Sequence, residues 1–159
     1  MNTLNEGQTL YVFSLGVTFK VLSKATKGGT AIVEHIIEPR TFGAPPHKHT
    51  HEDEITFVIE GKLTVEQDGI VHTVGPGEFL VKPRGLFHSL WNAGDETVRF
   101  LEIITPGNYE SFFTEIAPLI PPAVSEPKWG EVVSTAARYG WEFNMEPVEG
   151  IMKKYGLKG

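Results

Sequence analysis

The chain contains no cysteine, which excludes a disulfide framework and any thiolate metal site. No apolar run approaches the ~20 residues needed to span a bilayer, and residues 1–7 lack the positive n-region of a secretory signal. These absences suit a cytoplasmic protein with no membrane partner. A basic cluster is missing too: 14 Lys plus Arg stand against 20 Asp plus Glu, for a net charge of −6. Such a chain is a poor ligand for a phosphate backbone, so nucleic acid is not an expected partner. There is no internal repeat and no low-complexity stretch. A length of 159 residues supports one domain with its own core and would crowd two.

What is present reads first as strand. Residues 8–13, 16–23 and 30–38 are rich in β-branched and aromatic side chains. Short strands are predicted at 54–60, 62–67, 69–74, 78–82, 87–92 and 97–104. Glu60-Gly61, Asp68-Gly69, Gly75-Pro76-Gly77 and Ala93-Gly94-Asp95 punctuate them as turns. Many short strands with such turns argue an all-β sandwich or barrel. After Pro106 the period changes. Tyr109, Phe112, Phe113 and Ile116 fall at helical spacing behind Asn108 as a cap. A second helix is predicted over 126–139, with Ser125 as N-cap and an inner stripe of Trp129, Val132, Val133 and Ala136. The expected organisation is a β-barrel over 1–105 and a short C-terminal helical extension of the same domain over 106–159.

Four side chains carry the chemistry. Residues i and i+2 of a strand face the same way, so His47 and His49 can share one face. The polar tetrad Thr50-His51-Glu52-Asp53 allows a bend, after which an apolar run returns Glu54 to that face. His88, from a separate strand, closes a His₃Glu set. Such a set binds one divalent transition metal and leaves coordination positions open. Iron, manganese, nickel, copper, cobalt and zinc all suit it. The bland alternative is four surface polar residues that match by coincidence. His51 reads as a loop histidine, and a ligand pair of His49 and His51 would leave too short a loop before Glu54. His35 shares parity with Ala31, Val33 and Ile37, either as a hydrogen-bonded core residue or as part of a pocket. Glu102 shares parity with Val98 and Phe100, and is a buried carboxylate if that face is the inner one. Phe87 and Trp91 oppose His88 in parity and are expected outside the barrel. Gly61, Gly77 and Gly85 are expected to be structural.

The spacing resembles the cupin superfamily. Its first motif, HxH-x4-E-x6-G, is met by His47, His49, Glu54 and Gly61. Its second, G-x5-PxG-xx-H-x3-N, is met by Gly77, Pro83, Gly85, His88 and Asn92. The resemblance implies a double-stranded β-helix, or jelly-roll, barrel. The tail, Thr105 to Phe113 and Ala136 to Phe143, is similar to that of one-domain cupins of the quercetin 2,3-dioxygenase-like kind. That likeness implies a metal-dependent dioxygenase acting on a flavonol or enol-like small molecule, with Glu54 both as ligand and as catalytic base. Phe42, Phe57, Val58, Phe79, Phe87 and Phe100 are candidates to line its pocket. A non-catalytic small-molecule binder or sensor is the alternative, and a sugar isomerase or cyclase the third. A homodimer is expected through Tyr11, Phe13, Phe19 and Trp91, unless the C-terminal helices cover that surface with Phe112, Phe113 and Trp129.

Overall fold

A computed structural model of the chain describes residues 5–121 and 127–159. Ten strands precede the first helix: β1 (Thr9–Val12), β2 (Leu15–Val21), β3 (Ala31–Ile37), β4 (Thr41–His49), β5 (Asp53–Glu60), β6 (Leu63–Gln67), β7 (Ile70–Val74), β8 (Phe79–Lys82), β9 (His88–Asn92) and β10 (Val98–Thr105). Then come α1 (Glu110–Ile116), α2 (Trp129–Arg138), β11 (Trp141–Phe143) and α3 (Val148–Tyr155). No helix among the described residues is long and apolar enough to cross a membrane.

Two antiparallel sheets face each other, in the orders β1-β2-β3-β10-β5-β8 and β11-β4-β9-β6-β7. Strand parity decides what lies between them. β10 buries Val98, Phe100, Glu102 and Ile104 and turns the intervening residues outward, while β5 buries Glu54, Thr56 and Val58. The expected barrel is therefore an open two-sheet jelly roll. β1 and β8 edge one sheet and β11 and β7 the other, with no hydrogen-bonded closure between the sheets among the described strands.

Segment 106–159 is more than a helical extension. β11 joins the second sheet beside β4, with Trp141 opposite His49 and Phe143 opposite His47. α3 packs on the outer face of that sheet, where Ile151 joins Phe42 and Trp91 in a small second core. Trp91 is outside the sheet interior, as its parity predicts, but fully buried, its ring 4.9 Å from that of Tyr155. Asn108 does not cap α1 through its side chain. It sits at φ 81°, and Tyr109 holds the cap position. Ser125 lies outside the described residues.

The side chains expected at a dimer surface are mostly covered within the chain. Phe13 stacks on Trp129 at 5.2 Å, Phe19 is buried edge-on to Phe113, and Trp91 lies under α3. Only Tyr11 of that set is exposed, and the large exposed apolar residues Ile70, Phe79 and Val81 lie on the edge strands β7 and β8 instead.

Gly61, Gly77 and Gly85 all adopt positive φ, at 74°, 81° and 81°. Only Gly61 is also hemmed in. A Cβ there would meet the Thr97 carbonyl oxygen at 2.6 Å, whereas Gly77 has nothing within 4 Å. Gly61→Ala should therefore lose clearly more stability than Gly77→Ala, which carries the dihedral penalty alone, on the order of 1 kcal/mol. Urea midpoints of the two variants test this, and equal midpoints would contradict the close approach at Gly61.

Candidate metal centre

Local chain geometry brings the four ligand candidates together from both sheets. β4 carries Pro45 and Pro46, which cannot donate to the ladder, and its register against β9 shifts between Ala44 and His47. That bulge sets His47 directly opposite His88, with ring centroids 4.3 Å apart. His49, two residues on, lies parallel to His88 at 5.3 Å. Glu54 approaches from β5 in the facing sheet. One donor atom from each of His47, His49, Glu54 and His88 lies within 4.8 Å of all the others, and all four residues are buried. Two bonds of ~2.0–2.2 Å on opposite sides of one ion span about 4.4 Å at most, so the set would close on a single ion once the donors draw in by a few tenths of an ångström.

The hydrogen bonds agree with that fit. The Nδ1–H of His47 donates to the Pro45 carbonyl at 2.8 Å, and that of His88 to the Leu86 carbonyl at 3.3 Å. Each bond fixes the tautomer that leaves Nε2 with a free lone pair. His88 Nε2 and both ring nitrogens of His49 are buried without a hydrogen-bond partner. Orphaned buried nitrogens are costly unless something occupies their lone pairs, and a cation does so. Glu52, also buried, brings Oε2 to 3.6 Å from His49 Nδ1 on the far side from Glu54.

Two groups outside the fixed motif positions hold Glu54. The Lys82 ammonium, itself fully buried, donates to Glu54 Oε2 at 2.9 Å and to Glu102 Oε1 at 2.6 Å. Thr56 donates its hydroxyl to Glu102, and Tyr109 donates its own to Glu54 Oε1 at 3.1 Å. Burial alone would push the Glu54 carboxyl up. The Lys82 charge and the neighbouring histidines outweigh it and hold the group well below the usual carboxylate range. Glu102 goes the other way, pushed by burial up to about 7 despite Lys82. Burial would lower Lys82, but the two carboxylates raise it, so the ammonium stays charged. The parity expectation for Glu102 thus holds, and it is a buried carboxylate beside the cluster. Neither Lys82 nor Tyr109 is marked by the motifs as a partner of Glu54, although Lys82 directly precedes Pro83 of the second motif and Tyr109 falls in the helical spacing after Pro106.

A cavity of about 70 Å³ opens onto the cluster. His35, His47, Glu54, Lys82 and Glu102 supply its polar wall. His35 answers both of its readings: its Nδ1–H donates to the Gly16 carbonyl at 3.1 Å, and its ring lies 5.2 Å from Phe100. The rest of the wall is apolar, and its aromatic side chains, Phe13, Phe112, Phe113, Trp129, Trp141 and Phe143, all come from the chain ends. None of the six side chains expected to line the pocket borders this inner cavity. Val58 and Phe100 fill the core deeper between the sheets, and Phe42 lies under α3. Phe57 and Phe79 pair with each other at 4.6 Å on the outer face, and Phe87 lies beneath the Lys48 ammonium. His51 is exposed and takes no part in the cluster.

Residues 33–104 match the family model described as the cupin domain. The chain is 27% identical over 93 residues to quercetin 2,3-dioxygenase of Bacillus subtilis (strain 168), a match covering 58% of this chain and 27% of that one. It spans 25% to 39% of the length of the curated relatives it matches. Among solved structures it resembles KdgF from Halomonas sp., with a TM-score of 0.58 at 17% identity over 65% of this chain and 90% of the other. It also resembles a sugar phosphate isomerase from a cupin superfamily of Silicibacter pomeroyi, with a TM-score of 0.51 at 25% identity over 58% and 59%. Motif spacing, two-sheet jelly roll and family match coincide over the same strands, and this chain carries a cupin domain.

Proposed function

We propose that His47, His49, Glu54 and His88 hold one divalent transition metal, and that the centre acts as an oxygenase on a small enol or enolisable molecule. The observation that carries this reading is a buried His₃Glu cluster with unpartnered ring nitrogens, facing a cavity with a largely apolar wall. A bound metal would supply Lewis acidity and open positions for substrate oxygen and dioxygen. The protein's own part is positional. Phe112, Phe113 and Trp141 exclude water, which strengthens every charge interaction inside. Lys82 occupies Glu54 Oε2, leaving Oε1, bonded only by the Tyr109 hydroxyl, as the oxygen that takes a substrate proton. A cavity of 70 Å³ suits an enol head of a few heavy atoms. Pockets that enclose drug-sized ligands run to roughly 300–1,000 Å³, so the fused rings of a flavonol exceed it.

One observation favours a second reading, a metal-holding binder without turnover. A carboxylate held this far below its usual range is a weak base. The sugar isomerase reading is less well supported, because the cavity's one cation, Lys82, is already committed to two carboxylates.

Three measurements follow. Elemental analysis should find about one metal per chain, as a single four-ligand site requires. His49→Ala or His88→Ala should lose most of it and His51→Ala should keep it, while full occupancy in the His88 variant would refute the ligand set. With iron, manganese, nickel, copper or cobalt loaded in turn, oxygen uptake should be seen with a compact enol such as acetylacetone. Glu54→Gln should then lower turnover tenfold or more beyond its loss of metal, because it removes a base as well as a charge. No uptake with any metal would move the assignment to the binder.

The third is pH. Burial holds His35 and His88 down at about 4, and holds His47 well below its usual value. Below pH ~6.5 the unfolded chain takes protons that the metal-free folded chain refuses, so stability falls from there towards pH 4. Glu102 opposes this. Its raised value adds stability that is complete below 4.5 and lost as pH rises through about 7. Three histidines against one carboxyl leave a net loss on acidification. Zinc should raise the melting temperature at pH 7, and that gain should shrink only as pH approaches 4, where protons begin to compete for the imidazoles of the folded chain. A melting temperature flat from pH 7 to 4, with and without zinc, would contradict histidine ligation.

A further inference from the structure

Beside the metal cavity lies a second hollow of about 680 Å³. Phe42 of β4, Met145, and Val148, Met152 and Leu157 from α3 and the segment around it give it an apolar wall. Of charged side chains, only Glu149 and Lys153 border it, one of each sign. Its size falls within the range of small-molecule pockets, roughly 300–1,000 Å³. The inner cavity, at 70 Å³, falls far below that range.

The two hollows share a wall. Phe13, Gly43, Pro45 and Trp129 line both. Gly43 and Pro45 belong to the ligand strand β4, and the other two rings stack 5.2 Å apart with an interplanar angle of 23°. Phe13 is an expensive choice there. It occupies the two-residue turn between β1 and β2 at φ 56°, a conformation that Gly, Asn or Asp adopts at little cost and a bulky side chain rarely does. Its N–H is tied to the Ile120 carbonyl at 2.9 Å, which fixes the turn against the segment that follows α1. A strained aromatic kept at the boundary of two cavities points to a role for that ring beyond closing a hairpin.

We propose that the two hollows form one substrate site, with a compact enol head in the inner cavity at the metal cluster and a neutral apolar body in the outer hollow. The Phe13–Trp129 pair is the partition past which the two parts of the molecule connect. The substrate class is thus an enol or β-diketone bearing an aliphatic or aryl tail. This rests on the metal-and-enol reading above, but it concerns binding and does not require turnover.

The test is equilibrium binding of 2,4-diketones of increasing chain length to the zinc-loaded protein, read by quenching of tryptophan fluorescence. Zinc is redox-inert, so no oxidation complicates the titration. From 2,4-pentanedione to 2,4-nonanedione, Kd should tighten about three- to fourfold per added methylene, the effect of burying each one. Met152→Glu, in the outer wall, should bring the ratio of the two Kd values close to one. Met145→Glu, on a loop, repeats the test should the helical variant fail to fold. A Kd independent of chain length, or a tail effect untouched by both variants, would overturn the two-chamber site. Tail-dependent binding in a protein that consumes no oxygen with any metal would support this site while rejecting the oxygenase. Oxygen uptake with chain-length-independent binding would do the reverse.

Discussion

The two oxygens of the Glu54 carboxylate are held by different parts of the molecule, and most of the site depends on that. Oε2 accepts from Lys82 of β8 and lies 3.2 Å from His88 Nε2 of the opposite sheet, while Oε1 accepts from Tyr109 at the start of the C-terminal segment. Glu54 thereby joins the first sheet, the second sheet and the extension at one point. Burying this carboxylate beside Glu102 would be prohibitive without a compensating charge, and the buried Lys82 ammonium between them supplies it. Removing one member of such a group typically costs on the order of 3–5 kcal/mol, because the remaining charges are left buried and unpaired. A divalent cation next to Glu54 and three neutral imidazoles would add the second positive centre that two carboxylates can accommodate.

The C-terminal segment makes this centre a closed one. β11 pairs with the ligand strand β4, so Trp141 lies directly against His49, with ring centroids 4.0 Å apart. α1 brings Phe112 and Phe113 over the same opening, and Phe112 reaches Trp141 at 4.0 Å. Each large side chain buried in this way contributes about 1.5–3 kcal/mol relative to an exposed one, which offsets the cost of leaving polar donors in an apolar pocket. An apolar wall also strengthens every charge interaction beside the cluster. The extension therefore walls the centre, and the strands supply its donor atoms.

Much of the centre was legible in the sequence. Strand parity and a turn of fixed length suffice to bring His47, His49 and Glu54 together, and the second motif supplies His88. Glu102 was legible by the same parity, since β10 alternates cleanly. Lys82 was not, because β8 inverts the usual pattern: it exposes Phe79 and Val81 and buries a lysine. Hydropathy places that lysine outside, and only the two carboxylates facing it explain its position. The pocket aromatics were misplaced for a related reason. Phenylalanines near the motifs were candidates by proximity in sequence, yet the wall is built by residues 13, 112, 113, 129, 141 and 143, which only the tertiary fold brings there. A three-residue strand such as β11 is held by its neighbours and leaves little local signal, whereas α3 carries Val148, Ile151, Met152 and Tyr155 at helical spacing before Gly156 and was legible in the sequence. The open form of the jelly roll depends on which edges pair, which alternation along single strands does not encode.

X-ray absorption at the zinc edge of the zinc-loaded protein tests the central claim most directly, because it counts the ligand types around the ion. The account predicts three imidazole nitrogens and carboxylate oxygen at roughly 2.0–2.2 Å, with any further neighbours being light oxygen atoms and no sulfur. A spectrum with fewer than three imidazoles, or one indistinguishable from the hydrated ion, would contradict the proposed centre at His47, His49, Glu54 and His88.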